Sequence, residues 1–129
     1  MELLPRFASV LANPSILLEG LGPEAHRVRV FSGDALSPSL EASVLQGDHM
    51  TELLNLLKID VACYGNHDFD FGEARLADIS SRTCFPWTLA NAVRRNPSPD
   101  QSTLLASAQE FVVRDVAGFR IGFFGLAGT

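Results

Sequence analysis

The sequence predicts an α/β fold with mainly parallel strands, covering helices and a C-terminal β-hairpin. Three observations support this prediction. Segments with strand-like and helix-like spacing alternate along the chain, turn-forming residues follow the predicted strands, and two strand-like stretches near the C-terminus flank Ala117 and Gly118. Such alternation is typical of a parallel sheet covered by helices, in which binding residues gather on loops at the C-terminal ends of the strands.

Composition limits the size of the core and the kinds of partner. The chain has 129 residues, of which 47% are hydrophobic, enough for one packed core. Its net charge is −5, and its basic residues are scattered apart from the pair Arg94 and Arg95. Without a basic stripe, we do not expect a nucleic acid polymer as a partner. No apolar run approaches the ~20 residues of a membrane-spanning helix, so we expect no membrane segment.

The first two elements are a helix and a strand. Apolar residues recur at helical spacing over 3–11, and Asn13 with Pro14 ends the pattern. Residues 27–31 alternate charged with β-branched or aromatic side chains, which predicts a strand. Turn-forming residues then follow, so Asp34 is expected at the C-terminal tip of this strand.

A second helix and a second strand come next. Asp48 is a plausible N-cap for a helix over 48–57. We expect the apolar side chains of this helix to form its inner side: Met50, Leu53, Leu54, Leu56 and Leu57. The apolar run 59–64 predicts a short strand.

The remainder of the chain completes the predicted order. A glycine-bounded polar loop over 65–72 precedes a helix over 73–81 and a strand over 87–89. The segment 96–107 is rich in turn-forming residues, which indicates a surface loop. Segments 110–115 and 119–124 predict the β-hairpin, and we expect its apolar second strand to be buried.

Two short segments carry the candidate chemistry. Gly33 and Asp34 close one predicted strand, and the run GNHDFDFG over 65–72 closes the next. Each segment alone is typical of an ordinary turn. They lie about thirty residues apart, each at a strand end with a helix between, so together they indicate a shared site.

Together these segments resemble the second and third motifs of the calcineurin-like metallophosphoesterase superfamily. The stretches FSGDALSPS, YGNHDFDFG and FPWTLANAV are similar to those of its 5'-nucleotidase family, and the likeness runs from Arg6 to the final hairpin. The resemblance implies part of a metallophosphoesterase-type α/β sandwich. It also implies hydrolysis of nucleoside 5'-monophosphates or related nucleotides with two divalent metal ions (Mn, Zn, Co or Fe). Two such ions can activate water and clamp the phosphate.

The resemblance assigns metal ligands and a catalytic pair. Asp34 would bridge the two ions, because a carboxylate has two oxygens to share, and Asn66 would offer its amide oxygen to one ion. His67 would not bind metal; it would stand beside the phosphate and stabilise the transition state or protonate the leaving oxygen. The family favours Asp70 as the support for the charged imidazole. The residues alone leave Asp68 open as its rival.

Three further side chains bear on the site. Asn91 matches a family asparagine for which a substrate or phosphate contact is expected, although an asparagine after a strand is also a routine turn former. The other two histidines, His26 and His49, are expected at the surface with no metal role.

The resemblance also implies motifs that the chain lacks. An Asp-x-His motif should precede the helix that contains Arg6, and a lone histidine and a Gly-His-x-His segment should follow Gly125. Asp34 and Asn66 are too few for two ions that need four to six donors each. We therefore expect residues 1–129 to be a partial 5'-nucleotidase N-terminal domain without its first strand, inactive by itself. An exposed sheet edge would then favour self-association.

Two other functions compete with this interpretation. A protein serine/threonine phosphatase of the same superfamily would continue its Gly-Asp motif with a second Asp-Arg-Gly group, but residues 35–39 here are ALSPS. A non-catalytic remnant could instead serve as a binding or interaction module. Stoichiometric metal in the purified protein would distinguish an active site from such a module.

Overall fold

The computed structural model of the chain describes residues 3–13, 25–94 and 102–128. Within these ranges the chain is a mixed α/β structure with one parallel sheet and two antiparallel strand pairs. The helices are α1 (Leu3–Ala12), α2 (Leu40–Leu45), α3 (Asp48–Leu56) and α4 (Glu73–Ser81). The strands are β1 (Val30–Phe31), β2 (Val61–Cys63), β3 (Trp87–Thr88), β4 (Val93–Arg94), β5 (Thr103–Leu104), β6 (Phe111–Val116) and β7 (Phe119–Phe124).

The sheet confirms the prediction that these strands are parallel. Strand β2 is central, with Val30 of β1 opposite Val61 on one side and Trp87 of β3 opposite Ala62 on the other. All three strands are shorter than predicted, and β1 has only two residues. Because β1 and β2 are parallel, the loops that follow them leave from the same edge of the sheet.

Helix α4 has the predicted bounds, but the start of α3 differs from the prediction. Gly47, with φ 87°, is the N-cap, and Asp48 lies in the first turn, so the proposed Asp48 cap is wrong. The carboxylate of Asp48 instead forms ion pairs with Arg75 (2.8 Å) and Arg82 (2.6 Å) of the neighbouring α4 region. The inner side of α3 is also narrower than predicted, because Leu56 is exposed.

Helix α2 was not predicted. Its N-cap is Ser39, whose hydroxyl accepts a hydrogen bond from the amide of Ala42 at 2.9 Å. A serine at this position satisfies one of the free N–H groups of the first helical turn. This cap was the sequence signal that could have revealed the helix.

The core lies between the parallel sheet and the helices. Tyr64 and Trp87 stack with ring centroids 4.7 Å apart and an interplanar angle of 13°. Aromatic pairs of this kind contribute about 0.5–1.5 kcal/mol beyond their buried area. Fully buried aliphatic side chains surround them: Leu36, Leu54, Leu76, Ile79 and Leu89.

The predicted surface loop over 96–107 is only partly a loop. Residues 95–101 lie outside the described part of the chain, while β5 pairs antiparallel with β4. A short 3₁₀ turn, Leu105–Ser107, follows, and Ala106 is buried within it. The carbonyl of Ala106 accepts from the Tyr64 hydroxyl at 3.2 Å, and its amide donates to Glu73 at 2.9 Å. The surface assignment is therefore wrong for this turn.

The C-terminal hairpin is confirmed, but its predicted burial is wrong. Strands β6 and β7 pair from Phe111 opposite Phe124 to Val116 opposite Phe119. Phe119 is 72% exposed and Phe124 is 68% exposed. Val112 is the buried residue of the pair. A two-stranded hairpin has two faces, and the described residues cover little of either one.

No helix within the described ranges is long and apolar enough to cross a membrane.

Strand β1 lies at one end of the three-stranded sheet, and Val30 is exposed there. Among the described residues, β1 pairs with β2 alone, so the expected open sheet edge is present.

Candidate functional site

The loops after β1 and β2 meet backbone to backbone. Gly33 has φ 98°, and a Cβ added to it would lie 2.5 Å from the amide nitrogen of Gly65. A Cβ on Gly65 would overlap Oδ1 of Asp34. Only glycine fits at these two positions, because any side chain would push the loops apart.

This close approach brings the Asp34 carboxylate to the start of the next loop. The amide of His67 donates a hydrogen bond to Oδ1 of Asp34 at 3.0 Å. Asn66 directly precedes the 3₁₀ turn His67–Phe69 without a side-chain hydrogen bond to it, and both Asn66 and Asp34 are exposed. The structure thus places three of the predicted site residues at one corner, at the C-terminal edge of the sheet.

The imidazole of His67 is held by Asp70. Nδ1 of His67 lies 3.0 Å from Oδ2 of Asp70, and both side chains are partly exposed. The hydrogen bond to Asp70 raises the pKa of His67 above its ordinary value. The same bond, with a further one from Ser37, lowers the pKa of Asp70. The ring is therefore oriented by one carboxylate that favours its protonated form.

Asp68 does not support the imidazole of His67, which is the alternative role that the sequence left open for it. Its side chain is fully buried, and its two oxygens accept four backbone hydrogen bonds from the loops after β1 and β2. Burial raises the pKa of Asp68, and the four backbone donors oppose that shift. Of the two aspartates left open by the sequence, Asp70 is the one bonded to the imidazole of His67.

Asn91 is bound to the C-terminal segment. Its Nδ2 donates to the carbonyl of Ala127 at 2.8 Å, and its Oδ1 accepts from the amide of Ala127 at 3.0 Å. The amide of Ala90 also donates to the carbonyl of Gly125 at 2.7 Å. Both ends of the Asn91 side-chain amide therefore bind Ala127, beside the contact between Ala90 and Gly125.

A cavity of about 510 Å³ opens beside Asp34. His49 lines it and is half-buried, so it is less exposed than predicted, whereas His26 is exposed as predicted. Nδ1 of His49 is buried and has no hydrogen-bond partner among the described residues. Its position in the first turn of α3 gave no sequence signal of this burial. The other residues that line the cavity are Leu4, Ala35, Ser37, Pro38, Ser39, Glu41, Met50 and Leu53.

The donors described at this corner are too few to hold a pair of metal ions by themselves. Asp34 and Asn66 each offer side-chain oxygen, but Oδ1 of Asp34 already accepts from the His67 amide. Within residues 3–13, 25–94 and 102–128, no group of three or more His, Cys, Asp or Glu side chains could hold an ion. Two donors leave most of two coordination shells unfilled.

Comparison with solved structures identifies the fold. The chain is similar to a 5'-nucleotidase precursor from Thermus thermophilus (TM-score 0.70, 22% identity), covering 93% of this chain and 22% of that one. It is also similar to the NAD nucleotidase of Haemophilus influenzae (TM-score 0.72, 19% identity), covering 96% of this chain and 23% of that one. The chain therefore has the fold of a segment that makes up under a quarter of each of these proteins. No protein-family model and no curated protein sequence matches it.

Proposed function

We propose that this chain is the central part of a metallophosphoesterase catalytic domain of the 5'-nucleotidase type, which hydrolyses nucleoside 5'-monophosphates or related nucleotides. The observation that carries the proposal is the His67–Asp70 pair, whose loop is bonded to the Asp34 carboxylate at the C-terminal edge of a parallel sheet. Both of the solved structures compared above are named as nucleotidases, which supports a nucleotide as the substrate.

The chemistry of His67 follows from its contact with Asp70. With Nδ1 donating to the carboxylate, the imidazolium form leaves its second N–H free to face a substrate. A protonated imidazole can stabilise charge on a phosphate oxygen or give its proton to a leaving alkoxide. Because Asp70 favours the charged ring, His67 keeps this proton to a higher pH than a free histidine would.

Two divalent ions would supply water activation and phosphate binding in the complete domain. Asp34 and Asn66 are the residues of this chain that would contribute oxygen ligands to them. We propose that the remaining ligands come from outside residues 1–129, and that this chain alone is inactive. An inactive remnant that acts as a binding module is the second candidate, and it is favoured by the lack of a metal-binding cluster among the described residues.

The first experiment assays the 129-residue chain with Mn²⁺, Co²⁺ or Zn²⁺ and a nucleoside monophosphate. We expect no turnover and less than stoichiometric metal. Robust hydrolysis that Asp34→Ala abolishes would contradict the inactivity of the isolated chain.

The second experiment uses the chain extended by the sequence encoded on either side, if that sequence supplies Asp-x-His and Gly-His-x-His motifs. We expect nucleotide hydrolysis whose kcat falls about 10²- to 10⁴-fold on His67→Ala, the usual contribution of a general acid. His26→Ala is the matched control, since His26 is exposed, and it should retain full activity. Unchanged activity in the His67 variant would contradict the catalytic role, and an extended chain without activity or bound metal would favour the binding module.

A further inference from the structure

The buried carboxylate of Asp68 joins the two loops that form the candidate site. Oδ1 accepts from the amides of Ala35 (2.7 Å) and Leu36 (3.0 Å). Oδ2 accepts from the amides of Asp34 (3.0 Å) and Gly65 (2.8 Å). Three consecutive amides of one loop and one amide of the other therefore converge on a single side chain.

These amides depend on Asp68 for their hydrogen bonds. None of the four residues lies in a helix or a strand, so the regular backbone ladders do not serve them. Ala35 and Leu36 are themselves buried, which keeps water from replacing a lost acceptor. A buried amide without a partner is costly, so the turn keeps this shape only while the carboxylate fills it.

The same turn gives Asp34 its unusual backbone. Asp34 has φ 58°, a left-handed conformation that non-glycine residues seldom adopt. In that conformation its amide faces inward to Asp68, while its Oδ1 meets the amide of His67 on the other loop. Asp68 therefore contacts the two loops from their buried side, whereas Asp34 and His67 lie on their exposed side.

We propose that Asp68 is a positioning residue, which holds the Asp34 carboxylate in register with the His67 loop. Its relevance to catalysis rests on the function proposed above, but the positioning itself is measurable without any activity. Replacing a purely structural residue would lower the stability of the whole fold and accelerate the exchange of all slowly exchanging amides alike. Replacing a positioning residue would accelerate amide exchange in the two loops more than in the sheet beneath them.

The wild-type chain supplies the first test, through amide hydrogen exchange followed by NMR. Although they lie in a loop, the amides of Ala35 and Leu36 should be protected at least about tenfold, as expected for hydrogen-bonded buried groups. Exchange at the rate of free loop amides would overturn the proposal, and no variant is needed to see it.

The second test compares Asp68→Asn with a matched control. The asparagine has the same shape but one acceptor oxygen, so it can serve only part of the four donors. We expect the amides of residues 34, 35, 36, 65 and 67 to exchange at least about tenfold faster, relative to the sheet amide of Ala62. The control is Asp60→Asn, since Asp60 also accepts a backbone bond between the β1 and β2 regions, from Arg29 at 2.8 Å, but at the opposite end of the strands.

The control should leave residues 34–36, 65 and 67 unchanged. Equal acceleration at Ala62 and at the loop amides in Asp68→Asn would overturn the positioning role in favour of a general structural one. If Asp68→Asn does not fold, the wild-type measurement decides. In a further outcome, the loops are released as expected while the His67→Ala variant of the extended chain keeps its activity. In that case the proposed function fails, but the positioning role of Asp68 stands.

Discussion

Nδ1 of His67 lies 3.0 Å from Oδ2 of Asp70, three residues further along the same loop. Neither group is buried, so the contact orients the imidazole without removing it from solvent. Its electrostatic consequence is a ring that stays protonated at higher pH and a carboxylate that stays ionised at lower pH. The first prediction follows from this pair.

Replacing Asp70 by Asn should lower the pKa of His67 toward the ordinary value of 6.5, because the asparagine carries no charge to support the imidazolium. NMR titration of the ring protons measures it, with the His67 signal assigned from His67→Gln. Asp115→Asn, on the hairpin, is the control and should leave the titration unchanged. The same pKa in the Asp70 variant and the wild type would show that the pair does not form in solution.

The sign of the pH dependence of this pair follows from the two shifts. The raised pKa of His67 contributes stability that is fully present below 6.5 and is lost as the pH rises through the folded-state pKa. The lowered pKa of Asp70 contributes stability above 3.8 that is lost as the pH falls through its folded-state pKa. The His67–Asp70 pair therefore stabilises the fold at pH values between the folded-state pKa of Asp70 and that of His67. Asp70→Asn should flatten the stability profile over this pH range.

Gly65→Ala should destabilise the chain and separate the two loops, because the added methyl overlaps Oδ1 of Asp34. The expected loss is about 1–3 kcal/mol, as for other overpacked positions, measured by urea unfolding. Gly122→Ala is the control, since a Cβ there meets nothing within 4 Å, and it should change stability by no more than about 0.5 kcal/mol. Equal unfolding midpoints for the two variants would contradict the close approach of the loops.

Asn91→Ala should free the segment that contains Ala127, since both hydrogen bonds between these residues are lost. We expect a cost of about 0.5–1.5 kcal/mol per bond and faster exchange of the Ala127 amide. Asn91→Asp separates the two bonds, because it retains an acceptor for the Ala127 amide but has no donor for the carbonyl. Continued protection of that amide in the alanine variant would argue against the contact.

Tyr64, the one tyrosine of the chain, should ionise late. Burial raises the pKa of Tyr64 to about 12 from 10.0. Its contribution to stability is present below 10.0 and is lost as the pH rises through about 12, so alkali should unfold the chain cooperatively with ionisation. Ultraviolet absorbance of the tyrosinate measures this, with Tyr64→Phe as the blank. A midpoint near 10.0 in the folded chain would place the ring in solvent.

The open edge at β1 predicts self-association, because Val30 is exposed on a strand that pairs on one side only within the described ranges. Val30→Lys should shift the chain toward the monomer in size-exclusion chromatography. Val44→Lys, an exposed position on α2, is the control and should not. A wild-type chain that elutes as a clean monomer would refute this prediction.

The sequence alone predicted the fold class, the parallel pairing of the first strands, the bounds of α4 and the presence of the hairpin, because these depend on local periodicity and turn chemistry. Helix α2, whose signal was the Ser39 cap, was not predicted, and β7 was wrongly predicted to be buried. Burial depends on which neighbours cover a face, and local pattern does not contain that information.

At the candidate site, the sequence placed Asp34, Asn66, His67 and Asp70 on two loops at neighbouring strand ends. The residues alone left Asp68 and Asp70 as rival partners for His67, because both lie within reach along the chain. Tertiary structure separated them: Asp68 turns inward to four backbone amides of two loops, and Asp70 remains outside beside the imidazole. Such a choice depends on contacts between segments over thirty residues apart, which exist only once the two strands have paired.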